Sequence, residues 1–190
     1  MISLLRVVSV PVIVSLLYTM APHDGPPLME GWSRIASVWA ALLFGLAALS
    51  DIVDGYLARR YHIVTVFGKL FDPLADKVLT FGAMVMLIPM GRMPAWLVVL
   101  VLARELAITT LRGVASSEGI VIAADTWGKM KNAFSNSGLF LLIFYYPFFG
   151  VQWFYLGWVL LLISVGLGLG SGASYMARFF SQMRQRAVAR

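Results

Sequence analysis

The sequence predicts an all-α integral membrane protein with six transmembrane helices and both termini on the cytoplasmic side. Of its 190 residues, 60% are hydrophobic and only 13% are charged. The mean hydropathy is +0.83, a composition that excludes a water-soluble domain. Apolar stretches long enough to cross a bilayer recur along the chain. The gaps between them are too short for a second folding unit, so we expect one domain over residues 1–190.

The elements follow from the positions of the apolar runs. The six predicted helices span about residues 2–21, 35–59, 67–89, 95–114, 131–146 and 153–176. A secretory signal peptide is an alternative for the first run, but its cleavage pattern is poor. A Pro-rich polar loop at 21–34 and a short link at 59–66 form the first two connections. A turn at 90–94, the polar loop GVASSEG at 113–119 and a second turn at 147–152 follow, and a basic tail at 177–190 closes the chain.

The last helix contains four alternating glycines, at 166, 168, 170 and 172. Their spacing is typical of helices that approach each other closely in a membrane. A nucleotide-binding glycine loop is excluded because no β-strand precedes them.

The basic residues indicate the topology. Of the fifteen Lys and Arg residues, only Arg34 and Arg92 fall on one side of the predicted bundle. The positive-inside rule therefore places the other side in the cytoplasm. The net charge of +6 is better explained by topology and anionic lipid than by nucleic acid. The absence of cysteine excludes disulfides, thiolate nucleophiles and Cys-based zinc sites.

Four of the nine acidic residues lie between positions 51 and 77, within otherwise apolar sequence: Asp51, Asp54, Asp72 and Asp76. Each buried carboxylate costs about 2.5–3.5 kcal/mol in a membrane helix. Residues three and four apart share a helix face, and helices joined by a short link are neighbours, so the four carboxylates converge. Their repulsion requires cations, and hard oxygen ligands favour two Mg²⁺ or Mn²⁺ ions. Such an ion pair is typical of phosphoryl transfer.

Small residues accompany the carboxylates. Gly55, Ala58 and Gly68 leave space for a base or a pyrophosphate to approach the backbone. Arg59 is placed to bind a phosphate through two nitrogens. Taken singly, the aspartates are equally typical of an ion pathway, and the small residues of helix packing.

The complete spacing, D-x2-D-G-x2-A-R-x8-G-x3-D-x3-D over residues 51–76, resembles the signature of the CDP-alcohol phosphatidyltransferase family. The resemblance implies six transmembrane helices, a homodimer, two divalent metals and transfer of a phosphatidyl group from a CDP-lipid to an alcohol. It implies that Asp76 is both a metal ligand and the general base, although the residues are equally consistent with a metal-ligand role alone. At the N-terminus, only Ser3 and Arg6 correspond to the family's nucleotide-binding segment.

The acceptor is indicated by weaker signals. The stretches DPLADK, ARE, LRGVASSEGIVIAA and WGKMK resemble the bacterial phosphatidylglycerophosphate synthase branch, which implies CDP-diacylglycerol and glycerol 3-phosphate as substrates in a bacterial inner membrane, with the active site facing the cytoplasm. Four cations favour a phosphorylated acceptor, although ordinary positive-inside charge also explains them: Arg104, Arg112, Lys129 and Lys131. Glu105 shares a helix face with Arg112 and is expected to hold it.

Two alternatives stay open. A family member with another acceptor, such as phosphatidylglycerol in cardiolipin synthesis, would have the same carboxylate site. A divalent cation transporter would use the aspartates as its ion site, but leaves the spacing of the glycines and Arg59 unexplained.

After Lys131 the family usually has Thr and then Gln, where this chain has Asn132 and Ser135. The basic tail is expected to associate with anionic membrane lipid.

Overall fold

The structure is a computed structural model, and it describes part of the chain in full. The backbone is described for residues 2–21, 30–61, 66–118 and 126–188, and the side chains for residues 8–21, 31–50, 74–118 and 127–185. The side chains of the first three motif aspartates therefore lie outside the described residues, whereas that of Asp76 lies within them.

The described residues form six α-helices and, apart from one isolated β-bridge between Phe148 and Val151, no β-structure. The prediction of an all-helical chain is confirmed at this level. The helices are α1 (Ile2–Met20), α2 (Glu30–Tyr61), α3 (Val66–Leu87), α4 (Ala95–Ser117), α5 (Thr126–Phe144) and α6 (Trp153–Val188).

Three predicted helix ends were wrong. The α2 helix begins at Glu30, inside the predicted Pro-rich loop. The other two lie at the ends of α4 and α6. The predicted loop GVASSEG is helical through Ser117, and the predicted tail is helical through Val188. Both corrections have one cause, since Phe179 of α6 packs on Ala115 and Leu111 of α4. This contact stabilises both helix ends and outweighs the low helix propensity of the glycine and serines near the end of α4.

Two of the described helices are long and apolar enough to cross a membrane, over Gly31–Ser50 and Trp153–Gln185. Only 33% and 28% of their apolar windows are buried inside the protein. The core helix of a soluble protein would be mostly buried. The exposed apolar faces of both helices therefore suit lipid better than water.

The helices run alternately up and down. The α1, α2 and α3 helices share a core with α5, built around the fully buried side chains of Ile13, Leu17, Phe44, Leu87 and Leu139. The α4 helix packs on α6 and α3 at the edge of the bundle. We call the end of the bundle that contains the end of α4, the start of α5 and the end of α6 the basic end.

The α5 and α6 helices form the tightest pair. A Cβ atom added at Gly138 would lie 2.9 Å from the carbonyl oxygen of Gly157, and one added at Gly157 would lie 3.0 Å from that of Gly138. Both positions therefore require glycine for the backbones to meet. This pair sets the position of the end of α6 relative to the start of α5.

Arg92 joins several segments at the opposite end of the bundle. Its guanidinium is buried, donates hydrogen bonds to Ser37 Oγ (3.3 Å) and the Ile143 carbonyl (2.9 Å), and lies 4.0 Å from the Tyr145 ring centroid. Burial lowers the pKa of Arg92, because desolvation disfavours the charged form. These contacts join the α3–α4 turn to α2 and α5.

Candidate active site at the basic end

A cavity of about 350 Å³ opens at the basic end between α3, α4, α5 and α6. Its lining includes one carboxylate, Glu105, and six cationic side chains: Lys77, Arg104, Arg112, Lys129, Lys131 and Arg178. We call it the cationic cavity. An excess of positive charge in a partly enclosed space raises the local concentration of anions. The cavity therefore suits a small phosphorylated molecule.

The four cations predicted from the sequence all line this cavity. They differ in their partners. Glu105 Oε2 accepts hydrogen bonds from Lys131 Nζ at 2.5 Å and from Arg104 Nη1 at 2.9 Å. The expected pairing of Glu105 with Arg112 is therefore replaced by pairing with a neighbour on α4 and with a residue of α5. Glu105 neutralises part of the charge at the inner wall of the cavity.

Arg104 also connects α4 to α6. Its Nε donates to the Gly168 carbonyl at 2.9 Å, and its Nη2 donates to Ser171 Oγ at 2.6 Å. Gly172 leaves room for this guanidinium, since an added Cβ would lie 3.4 Å from Nε. Two of the four alternating glycines, Gly168 and Gly172, thus lie against a side chain of the neighbouring helix, whereas an added Cβ at Gly166 or Gly170 would meet nothing within 4 Å.

Lys131 is fixed on its backbone side as well as at its ammonium group. It is buried, and its carbonyl oxygen accepts a hydrogen bond from Ser164 Oγ of α6 at 2.8 Å. With Glu105 on α4, Lys131 on α5 and Ser164 on α6, the polar contacts join three helices. Hydrogen bonds that satisfy every buried group rigidify such a site.

The outer part of the cationic cavity has a different character. Arg112 Cζ lies 5.4 Å from the ring centroid of Tyr175, a cation–π distance. Lys129 and Arg178 are exposed lining residues. Among the described residues, Glu105 is the carboxylate that lines the cavity, and its salt bridges go to Arg104 and Lys131. Arg112, Lys129 and Arg178 therefore offer their charge to a ligand.

Asp76 lies next to the cationic cavity. A small pocket of about 30 Å³ is lined by Asp76, Thr80, Ser135 and Asn136, and it shares Lys77, Glu105, Lys131 and Asn132 with the larger cavity. The shared lining places Asp76 beside the inner part of the cationic cavity. The side chains of the other predicted site residues lie outside the described part of the chain: Ser3, Arg6, Asp51, Asp54, Gly55, Ala58, Arg59, Gly68 and Asp72.

An apolar groove of about 400 Å³ lies between α2 and α5 on the outside of the bundle. It is lined by Gly45, Ala48, Leu49, Ala133, Asn136, Ser137, Phe140 and Leu141. Asn136 is common to this groove and the Asp76 pocket. The groove leads along α2 towards the helical segment that contains Asp51.

Sequence reasoning missed several lining residues of the cationic cavity, among them the polar residues Thr109, Ser171, Tyr175 and Arg178. Thr109 Oγ1 accepts a hydrogen bond from Lys77 Nζ at 2.5 Å, which joins α3 to α4. The other three lie on α6, at spacings of four and three residues that place them on one helix face. This periodicity is present in the sequence. Ser171 and Tyr175 lie within the predicted sixth helix, whereas Arg178 lies in the predicted basic tail.

Comparison with known proteins decides the family. The sequence profile described as CDP-alcohol phosphatidyltransferase matches residues 1–169. This chain belongs to the CDP-alcohol phosphatidyltransferase family. The match extends beyond the motif in α2 and α3 to include α5 and most of the apolar part of α6.

Curated relatives of this CDP-alcohol phosphatidyltransferase have related names. A Bacillus subtilis protein named CDP-diacylglycerol--glycerol-3-phosphate 3-phosphatidyltransferase is 41% identical over 68% of this chain and 67% of its own length. A Rickettsia typhi protein of the same name is 32% identical over 90% of this chain and 89% of its own. A Mycobacterium tuberculosis protein named probable phosphatidylglycerophosphate synthase is 36% identical over 74% of this chain, which spans 63% of that protein.

Family membership and the apolar helices together indicate a membrane enzyme. Members of the family generally use divalent metal ions. The donors present in this phosphatidyltransferase fit such ions, because α2 contains Asp51 and Asp54, α3 contains Asp72 and Asp76, and the chain has no cysteine thiolate. Carboxylate oxygens are the ligands that Mg²⁺ and Mn²⁺ prefer.

Proposed function

We propose that this enzyme transfers the phosphatidyl group of CDP-diacylglycerol to sn-glycerol 3-phosphate, with release of CMP. The observation that supports this acceptor is the cationic cavity that shares its lining with the Asp76 pocket. A phosphorylated acceptor requires cations beside the reacting carboxylate, whereas an uncharged alcohol would gain nothing from them. The names of the relatives support the same assignment.

The acceptor phosphate binds at the outer part of the cationic cavity. Arg112, Lys129 and Arg178 provide the charge there, and Tyr175 orients the guanidinium of Arg112. Charge-assisted hydrogen bonds to phosphate are about twice as strong as neutral ones. The predicted ligands Arg104 and Lys131 act further in, where their salt bridges with Glu105 hold three helices together.

With the phosphate anchored, the 1-hydroxyl of the acceptor reaches the Asp76 pocket. Asp76 takes the hydroxyl proton as the oxygen attacks the lipid-side phosphorus. The new bond joins this oxygen to that phosphorus, and the bond to the bridging pyrophosphate oxygen breaks, so that CMP leaves with the oxygen. General-base catalysis requires the carboxylate within hydrogen-bond reach of the hydroxyl, and the adjoining cavities support that geometry.

The lipid substrate is bound from the side of α2 and α3. Asp51, Asp54, Asp72 and Asp76 hold two Mg²⁺ or Mn²⁺ ions, which neutralise the pyrophosphate charge when bound. The nucleotide and pyrophosphate contact the residues that the motif and its N-terminal counterpart supply: Ser3, Arg6, Asp51, Gly55, Ala58, Arg59 and Gly68. The apolar groove between α2 and α5 takes an acyl chain, because it opens outward and shares Asn136 with the Asp76 pocket.

The same function has a membrane topology and an oligomeric state that we also propose. All six helices cross the inner membrane of a bacterium, with the basic end and both termini in the cytoplasm, as the distribution of the basic residues supports. CDP-diacylglycerol then enters from lipid, and the acceptor enters from water. The enzyme acts as a homodimer, an expectation that rests on the family resemblance. Cross-linking in native membranes that gave only monomers would contradict the dimer.

Acceptor identity is tested by CMP release from CDP-diacylglycerol in reconstituted vesicles. Glycerol 3-phosphate should support release, and phosphatidylglycerol, glycerol and buffer alone should not. Release with phosphatidylglycerol alone would instead assign the chain to cardiolipin synthesis. Metal flux across the vesicle membrane without CMP release would assign it to cation transport. Asp76→Asn should reduce CMP release at least 100-fold, about the contribution of a general base.

A further inference from the structure

The α6 helix is longer than a bilayer requires. Its 36 residues rise about 54 Å, against a hydrocarbon core of about 30 Å. The α4 helix begins at Ala95, at the end of the bundle opposite the basic end. Ala115 lies about 30 Å further along α4, a distance equal to the thickness of the hydrocarbon core, and Phe179 of α6 packs beside it. Phe179 therefore marks the membrane boundary at the basic end, and the residues after it reach about 13 Å beyond that level.

The last part of α6 has a buried edge beside an exposed stripe. Phe179 is 5% exposed and packs on α4. It lies about 40° round the helix from Met183, at the edge next to α4. Met176, Phe180 and Met183 are 42%, 64% and 39% exposed. These three fall within about 60° of one another and form one stripe of the helix. We call it the apolar stripe.

The apolar stripe is continuous with the lipid-facing side of the spanning part of α6. Leu162 and Leu169 are both exposed, and with Met176 and Met183 they form a run with a spacing of seven residues. Residues seven apart on a helix differ by only about 20° in direction. The run therefore turns by only about 60° from Leu162 to Met183, so the side of α6 that faces acyl chains at Leu162 continues up to and past the boundary.

The charge around the stripe has a single sign. Arg184 is exposed beside Met183, and the sequence continues with Arg186 and Arg190. The last acidic residue in the chain is Asp125. A two-fold contact between copies of this helix would set arginine against arginine, which disfavours a second copy as the partner. An anionic membrane surface satisfies both the charge and the apolar side chains.

We propose that the end of α6 docks in the headgroup layer of an anionic lipid leaflet, with the apolar stripe towards the acyl chains and Arg184 on lipid phosphates. The same helical segment supplies Tyr175 and Arg178 to the cationic cavity. Lipid docking thus holds one wall of the cavity in place. This inference does not depend on which alcohol the enzyme uses.

The absence of cysteine makes a site-specific test direct. Phe180→Cys and Met183→Cys carry a nitroxide label on the stripe, and Gln185→Cys carries it on an exposed position about half a turn away. Full-length protein is reconstituted in vesicles of phosphatidylcholine with or without phosphatidylglycerol. Collision rates with O₂ and with a water-soluble nickel complex then report whether each label lies in lipid or in water.

With phosphatidylglycerol present, labels at 180 and 183 should favour O₂, and the label at 185 should favour nickel. Equal nickel access at all three positions would overturn the proposal. Identical results in pure phosphatidylcholine would overturn the role of anionic lipid. Spin–spin broadening at 180 that disappears on dilution with unlabelled protein would assign the stripe to a second copy instead.

A second measurement uses the unmodified protein. Trypsin cleavage after Arg184 should slow when phosphatidylglycerol is added, by about fivefold for each arginine that contacts lipid phosphate. Cleavage on the opposite side of the bundle at Arg34 serves as the internal control and should not change. An unchanged rate at Arg184 would contradict docking even if a labelled variant folded poorly.

Discussion

Lys131 Nζ lies 2.5 Å from Glu105 Oε2, and this contact joins α5 to α4 at the inner wall of the cationic cavity. The side chains are only 10% and 22% exposed, so water screens the pair weakly. Arg104 shares the same carboxylate oxygen and continues the network to α6. One acidic residue thus organises three of the four helices that line the cavity, while the cations further out remain available to substrate.

Glu105→Gln should lower the stability of the folded enzyme. The substitution keeps the shape but leaves two partly buried cations without their counterion, at a cost of about 1–3 kcal/mol. The melting temperature in detergent should fall by about 2–4 °C for each kcal/mol lost. Glu118→Gln, at the exposed end of the same helix, is the matched control. An unchanged melting temperature for Glu105→Gln would contradict this role.

Arg112→Gln should raise the KM for glycerol 3-phosphate without a comparable effect on the KM for CDP-diacylglycerol. The loss of a charge-assisted hydrogen bond predicts a change of about 10- to 100-fold. Tyr175→Leu should raise the same KM by a smaller factor, about two- to fivefold, because the guanidinium loses its ring partner. Tyr175→Phe keeps the ring and should be near the wild type.

Tyr155→Leu is the control for the tyrosine substitution, since Tyr155 is exposed near the other end of α6. Steady-state CMP release with each substrate varied in turn gives both KM values. If Tyr175→Phe were as impaired as Tyr175→Leu, the hydroxyl group and not the cation–π contact would be responsible.

Gly45→Val should weaken the use of the lipid substrate. An added Cβ at Gly45 lies 3.1 Å from the Phe140 ring, which lines the apolar groove, so a larger side chain pushes the ring into the groove. The kcat/KM for CDP-diacylglycerol should fall by about tenfold. Gly31→Val is the control on the same helix, because nothing lies within 4 Å of an added Cβ there. An equal rise in both substrate KM values would argue against an acyl groove.

Removal of divalent metal should abolish CMP release, and Mg²⁺ or Mn²⁺ should restore it. Binding to the folded state alone also stabilises it, so the melting temperature should rise with metal concentration. Asp72→Asn should shift this stabilisation to higher metal concentration, whereas Glu118→Gln should not. A melting temperature of wild-type enzyme that did not respond to metal would contradict the proposed ligands.

The number and order of the helices were predictable, because each apolar run is long enough for a helix of several turns and the gaps between runs contain polar or turn-forming residues. The residues at which α4 and α6 end were not predictable. Gly113, Ser116 and Ser117 indicate a loop when only local propensity is considered. Their helical state depends on the contact between Ala115 and Phe179, which are 64 residues apart and invisible to a local pattern.

The candidate site, too, could be predicted from the sequence only in part. Charge alone located Arg104, Arg112, Lys129 and Lys131 in the cationic cavity. Which of them is paired could not be predicted, because Glu105 pairs with the adjacent Arg104 and with Lys131 of α5, and not with Arg112 on its own helix face. The role of Arg178 depends on α6 staying helical past its predicted end at residue 176, and so it too follows from a tertiary contact. Tyr175 lies inside the predicted helix, but its contact with Arg112 joins two helices and could not be read from either alone.

The buried Arg92 has a consequence for the movement of substrates. Its guanidinium gathers Ser37, Ile143 and Tyr145 at the end of the bundle opposite the cationic cavity. Among the described residues, these contacts fill the core at that end, whereas the cavity lies at the basic end. If the acceptor enters at the basic end, as proposed, CMP leaves through the same opening, and we expect the two molecules to compete for it.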